Sequence, residues 1–525
     1  MKKLLALGLS LLMCVSLVGC GGNGGNGEVS DGGTYIIAQQ GEPASLNPDT
    51  NSDDYLYAIA QNMFNRLVKL NNNYEVLPDL ATDWEISDDA LTYTFNLNKK
   101  AEWWDGEPVT ADDVKYTFDT IVSKSYANAS VFANVESIEA KDEHTVVFHM
   151  ANADATFLSN VAWYGTFILP QHELEGTDWT TSDFNENPLG SGPFKFSKWN
   201  KGTDVRLVKN EKYWGDVPHL DELVYTVIPD TNTAYQAWLN DEVDEIASAN
   251  IPTSEIESLK ETGNYVWVEQ EWPSPYYVTF NLNDGPFKDV KVRKAAAMGI
   301  DRDEVSKKAF NGYKPANNYY ISQIYKSSLN EDAKQPDYDP KGAMKLIEEA
   351  GYKKNSDGYY FETTLTIFEG FEDAATVVTA NLEKIGIKCS LNVIDYNVWE
   401  ETVWKNQKFD FTMVAGFQGP DVLGAGRRWT TNGVINVNNY SNAEVDKLYN
   451  QALAASSQEE IDDCMKKIQA ILAEDITLVT MVNYTDVAAF KNYVHGHPMY
   501  TNDQGGSRDK AGFSEMTYVW VDSAE

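Results

Sequence analysis

The chain of 525 residues carries a formal net charge of −37 at pH 7, with 42 Lys and Arg against 79 Asp and Glu. No basic stripe offsets that charge, which excludes nucleic acid as a partner and argues against a body lying flat on anionic lipid. With 14 Trp, 29 Tyr and 21 Phe, the chain is not an acidic disordered polymer, and its length exceeds one ordinary core, so two or three domains are expected.

Lys2 and Lys3 precede an apolar run from Leu4 to Val18. The run is shorter than the roughly 20 residues a membrane-spanning helix needs, and with its positive flank it reads as an export signal. Gly19, Cys20 and the glycine-rich tail 21–27 then resemble the bacterial lipoprotein type of signal. That resemblance implies removal of residues 1–19, a lipid on the Cys20 thiol and a flexible leash over 20–27. An uncleaved anchor would leave the body in the same place. Of the other cysteines, Cys14 leaves with the signal, and Cys389 and Cys464 are either buried thiols or a disulfide. No later segment is long and apolar enough to span a bilayer, and no tandem repeat is found.

Thr34 to Ala38 reads as a strand, and Asp54 to Leu70 as a helix feeding a short strand. Tyr93 to Leu97 and His144 to Met150 alternate with period two. Between them Thr110-Ala111-Asp112-Asp113 caps a helix that runs toward Ile121. Asn200 to Thr203 turns a hairpin, and Leu223 to Ile228 is a strand before a helix through Thr233 to Leu239. Val292 to Ile300 is helical, and Asp301 to Glu304 restarts the chain as a capping-box pattern. Asp339-Pro340 opens a helix that stops at Gly351. Asp373 to Ile385 is a helix before the strand Ile387 to Val393. Ser441-Asn442-Ala443-Glu444 caps the next helix, and a last one follows from Gln458. The mixture is α/β.

Several blocks then add up: Val76 to Glu85, Asp88 to Leu97 and Trp104 to Val114; Pro188-Leu189-Gly190-Ser191-Gly192-Pro193-Phe194 before Lys209 to Trp214; Pro286 to Asp289 before Val292 to Ala295; and Asn439 to Asp446. In order and spacing they resemble the family 5 solute-binding proteins of ABC importers, the oligopeptide- and dipeptide-binding proteins and their relatives. The resemblance implies a bilobed, class II periplasmic-binding-protein-like α/β fold with an extra domain inserted in the first lobe. The first lobe would comprise 28–57, 180–271 and 486–525, the extra domain 58–179 and the second lobe 272–485. Chain crossings near Tyr265–Pro275 and Tyr484–Lys491 would form the hinge.

In the peptide-binding branch an aspartate beyond a strand and a Gly/Trp-rich loop holds the α-ammonium. Here the stretch Phe409 to Asp421, with Phe417 and Gln418, makes Asp421 the match. The alternative is a solvated turn aspartate after Pro420. Arg427 or Arg428 would clamp a carboxylate or neutralise Asp421, and Trp429 would stack on a side chain or sugar face. Glu42 and Ala44 belong to a loop that resembles the one whose backbone borders the peptide. Trp399, Trp404, Trp272 and Tyr276 are candidate wall residues with core or hinge roles as alternatives. Arg293 and Asp301 read as structural.

Enzyme readings find no support. There is no His-Glu-x-x-His or Gly-x-Ser-x-Gly pattern, and His495-Gly496-His497 has no third ligand nearby. The expectation is a cofactor-free, monomeric binding body, lipid-anchored on the outer face of the membrane of a Gram-positive bacterium. It would deliver peptides to permease subunits. Oligosaccharides are the alternative ligand, followed by metal chelates and other solutes, and a sensor or adhesin would use the same fold.

Overall fold

The computed structural model describes residues 29–522 apart from 51, 52, 164, 165, 432 and 434. The export signal, Cys20 and the glycine leash lie outside the described residues. Among the described residues no helix is long and apolar enough to cross a membrane.

Three sheets organise the chain. In the first, Thr34–Gln39 runs parallel to Glu222–Val227, which continues antiparallel through Asp204–Lys209 to Phe194–Asn200. The second is inserted between those strands in sequence. It is antiparallel, in the order Ala81–Ile86, Thr92–Leu97, Thr145–Met150, Val135–Asp142. One continuous apolar core joins the two, running from Tyr35 and Leu207 to Phe95 and Phe148. The inserted unit is therefore fused to the first lobe rather than tethered to it.

The third sheet has five strands, ordered Ile387–Ile394, Phe361–Phe368, Phe411–Ala415, Tyr265–Phe280, Leu478–Lys491. Successive residues on a strand face opposite ways, and both faces are covered. Val278 and Met413 enter one core, Tyr277 and Val414 the other. The whole is a bilobed α/β fold of the class II periplasmic-binding-protein type with a unit inserted in its first lobe.

Local signals explain most helix starts. Asp113 Oδ2 accepts from Thr110 N at 2.8 Å, closing a capping box on Ala111–Lys124. Asp339 caps Pro340–Glu349 with proline in the first turn, and Asn442 caps Ala443–Leu453. Asp301 caps Arg302–Phe310 by accepting from Glu304 N at 3.0 Å. Its expected capping box is half-made. Asn381 Oδ1 takes the Asp301 N–H at 2.7 Å, while Glu304 bonds Lys308, Lys384 and Asn381. Those donors hold the Glu304 carboxyl down at about 2. Cys389 and Cys464 are free thiols, each raised by burial.

Arg293 is buried and donates only to main-chain carbonyls: Phe287 and Lys288 at 2.9 Å, Ile476 at 2.9 Å, and Asp475. It thus ties the end of Gln458–Asp475 to the start of Val290–Gly299. Arg293→Met orphans several of these carbonyls. It is expected to cost about 2–4 kcal/mol, seen as a lower urea midpoint at unchanged slope; an unchanged midpoint contradicts this role.

Candidate functional site

Five half-buried aromatic rings meet between the lobes, each from a different segment. Tyr74 lies in a turn closed by its own N–H on Asn71 O at 3.0 Å. Trp163 ends the helix Phe157–Ala162 of the inserted unit, and Trp272 lies on the crossing strand Tyr265–Phe280. Phe417 follows the strand Phe411–Ala415, and Phe513 lies in the last segment. Trp163 stacks on Phe417 at 5.0 Å and 20°, and Trp272 on Phe513 at 5.5 Å and 20°. Phe513 joins the two pairs, standing edge-on to Trp163 at 5.4 Å and tilted to Tyr74 at 5.4 Å.

Asp421 lies in the loop after Phe417. Gly419 has φ +114°, and a Cβ on Gly424 would fall 1.9 Å from Gln418 O. The loop therefore folds back on itself only with glycine at these positions. Asp421 Oδ1 accepts from Leu423 N at 2.9 Å and Gly424 N at 3.3 Å, opening the short helix Leu423–Gly426. Its Oδ2 accepts from Ser159 Oγ of the inserted unit, so this carboxylate bridges the lobes. A second bridge, Ala155 N to Leu453 O at 2.8 Å, lies nearby. Asp421 borders two cavities, of about 830 and 380 Å³, the larger also lined by Asp154, Arg427 and Tyr449. Burial pushes its pKa up, with Asp154 adding to the rise and the Ser159, Leu423 and Gly424 donors opposing it.

Neither arginine neutralises Asp421. Arg427 is exposed and donates to Gly424 O at 3.2 Å. Arg428 is buried and donates to Gly416 O, to Phe417 O at 3.3 Å and to Tyr277 Oη at 3.2 Å. These bonds hold the loop carbonyls and leave its guanidinium facing protein. Gln418 is buried too, accepting from Ser322 N at 2.9 Å while its own N–H reaches Pro273 O at 2.6 Å. Trp429 and Trp399 are each 1% exposed in the second-lobe core, and Trp399 Nε1 donates to Thr412 Oγ1 at 2.9 Å. Trp404 is half-buried, edge-on to Trp399 at 6.1 Å. Glu42 accepts from Gly202 N at 2.7 Å and Trp199 Nε1 at 3.2 Å, and with Ala44 it lines a separate open groove. Tyr276 stacks on Tyr484 at 6.0 Å, behind the cleft in the second-lobe core. His495 and His497 face Asp522 and Glu245 respectively.

The structure thus brings Asp421 and Phe417 together with Ser159, Trp163, Tyr74 and Phe513, none of which the sequence singles out. Ser159 sits on, and Trp163 directly after, a helix of only six residues, too short to show a period.

Two lobes joined by two crossing strands, with a cleft between them, define a bilobed solute-binding protein. The model of the bacterial extracellular solute-binding proteins, family 5, matches residues 75–433. The oligopeptide-binding protein AppA of Bacillus subtilis is 29% identical over 505 residues, covering 90% of this chain and 91% of its own. Among solved structures, the ABC transporter substrate binding protein CtaP of Listeria monocytogenes superposes with a TM-score of 0.82 at 25% identity, over 94% of this chain and 100% of CtaP. AppA of Bacillus subtilis in complex with a nonapeptide gives 0.72 at 26%, again over 94% and 100%. The chain belongs to family 5 of the extracytoplasmic solute-binding proteins and is a substrate-binding protein of the ABC importer type.

The pKa shift fixes a sign. Asp421 titrates higher folded than unfolded, so the folded chain holds its proton more tightly. The cost of burying the charge is complete above the folded value and is relieved as pH falls through it toward 3.8. Asp421→Asn should therefore raise the melting temperature of the ligand-free protein at pH 7 by about 1–3 °C. That gain should vanish on acidification toward pH 4. A loss of stability at pH 7 would mark Asp421 as purely structural.

Proposed function

We propose that the chain is a lipid-anchored receptor that captures peptides between its lobes and hands them to a permease in the membrane, binding without catalysis. Cys20 carries the anchor in this reading, and the body hangs as a monomer outside a Gram-positive cell membrane. The extra domain takes 58–179, and the two lobes divide at 271/272 and 485/486. The observation that carries the ligand assignment is Asp421, a carboxylate between the lobes with no cationic side chain paired to it among the described residues. Its three donors are neutral dipoles, which hold the carboxylate in place but leave its charge uncompensated. A peptide α-ammonium supplies that charge. AppA, with its peptide-bound structure, supports the ligand class.

The aromatic geometry does not favour sugar. A sugar ring sandwiched between two rings needs twice a contact distance of about 3.5–4.0 Å, whereas the facing pairs sit at 5.0 and 5.5 Å.

The test is a thermal-shift and calorimetric screen of the stripped chain from residue 21 onward, which holds every described residue. Free peptides of two to eight residues are compared with their N-acetylated forms and with xylo-, cello- and manno-oligosaccharides. Free peptides should raise the melting temperature. N-acetylation or Asp421→Asn should each weaken binding about 10- to 100-fold. A sugar ligand with no peptide ligand overturns the assignment. Separately, Cys20→Ser should move the protein from membranes to the medium.

A further inference from the structure

Away from the cleft, the inserted unit leaves one sheet edge open. Val135–Asp142 ends its sheet and pairs only with Thr145–Met150 among the described residues. Its outer edge therefore presents main-chain N–H and C=O groups that no strand takes up. The register shifts between Val135 and Ser137, which leaves Glu136 with no partner across the ladder. A groove of about 540 Å³ is lined by this strand on one side and by the helix Ala111–Lys124 on the other. An open strand edge beside a helix is a recurring seat for an extended peptide segment, which joins the sheet through its main chain.

The groove has a definite chemistry. Asp112, Lys115, Asp119 and Val122 lie three or four apart on the helix, so one helix face supplies that wall. Val122 is 41% exposed, although it is apolar. Phe118 and Phe132, edge-on at 4.9 Å, are buried together with Ile138 and make the floor apolar. The rim is acidic: Lys115 pairs with Asp119 at 2.5 Å, and Asp112 and Glu136 add further carboxylates. Acidic side chains along an open edge repel a second copy of that edge and attract a basic strand. Every residue lining the groove belongs to the inserted unit, and none of them borders the two cavities at Asp421. Closure of the lobes therefore encloses nothing here, which argues against a transported solute as the occupant.

We propose that this groove docks an extended basic segment of a partner protein. The segment adds to Val135–Asp142 as a further strand, sets apolar side chains over Phe118 and Phe132, and lays Lys or Arg along Asp112 and Glu136. Main-chain pairing supplies the hold, and the alternation of basic and apolar residues supplies the selectivity. The proposal goes beyond solute capture and stands whatever the cleft binds.

The test uses the chain from residue 21 onward and a fluorescent peptide of alternating Lys and Val, acetylated and amidated so that neither end carries a charge. Three controls accompany it: the same composition with the lysines grouped together, an alternating Glu and Val peptide, and the Lys and Val peptide N-methylated at alternate amides. Fluorescence anisotropy should show the alternating basic peptide binding about 10-fold or more tightly than each control. Hydrogen exchange along Val135–Asp142 should slow in the complex. The double variant Asp112→Asn, Glu136→Gln should weaken binding about 10- to 100-fold, and Val122→Lys should weaken it as well. Equal binding of the grouped and alternating peptides reduces the effect to the net charge of the chain and overturns the proposal. Unchanged exchange along Val135–Asp142, unchanged binding by the double variant, or no binding at all also overturns it. The N-methylation and exchange arms need no variant, so they decide the matter even where a substituted chain fails to fold.

Discussion

Everything in the cleft hangs on one pair of strands. Tyr265–Phe280 and Leu478–Lys491 lie antiparallel from Tyr265 opposite Lys491 to Thr279 opposite Leu478. At one end Val487 and Ala489 pack with Ala38 and Trp238 of the first lobe. At the other, Val278 and Val482 belong to the second-lobe core. The register breaks between Trp272 and Tyr276, where Pro273 and Pro275 fall. Proline gives no N–H to a ladder, and a bulge bends and twists its strand. The break is therefore where the two lobes can change their angle with least loss of hydrogen bonding. It also sorts side chains: Trp272 joins the rings between the lobes, and Tyr276 passes into the second lobe.

The legible parts of the chain were those whose physics is local. The caps at Thr110, Asp339 and Asn442 and the hairpin at Asn200 each need only neighbours in sequence, and each forms. Family blocks extended that reading to the bilobed architecture. The site is different in kind. Its rings come from five segments, and Ser159 meets Asp421 across 262 positions of chain. No spacing encodes such a meeting. Aromatic identity misleads for the same reason: Trp399 and Trp429 have the chemistry of a binding wall, and tertiary packing makes them core. Arg428 has the chemistry of a clamp, but the Gly416 and Phe417 carbonyls occupy it first. At Asp301 a neighbour, Asn381, outcompeted the local partner.

Electrostatics in the cleft has a simple logic. The chain is strongly acidic overall, and its exposed charges are screened within about 10 Å. What distinguishes Asp421 and Arg508 is partial burial with no oppositely charged side chain paired to either among the described residues. Isolated charges of this kind cost folding free energy unless something else neutralises them. The two do not pair with each other, since one is held by Ser159 and a helix start and the other by Gln270. A mutual ion pair would have been the cheaper arrangement for stability.

The same reasoning bears on the neutral centre of the cleft. Trp163 on Phe417 and Trp272 on Phe513 are stacked already, and each such pair is worth about 0.5–1.5 kcal/mol beyond the area it buries. A ligand that parts them must replace that contact. Apolar or aromatic side chains do so in kind, because every face of the cluster remains covered. A wholly polar solute would break the stacks and leave ring faces against hydroxyls, losing that contribution twice over.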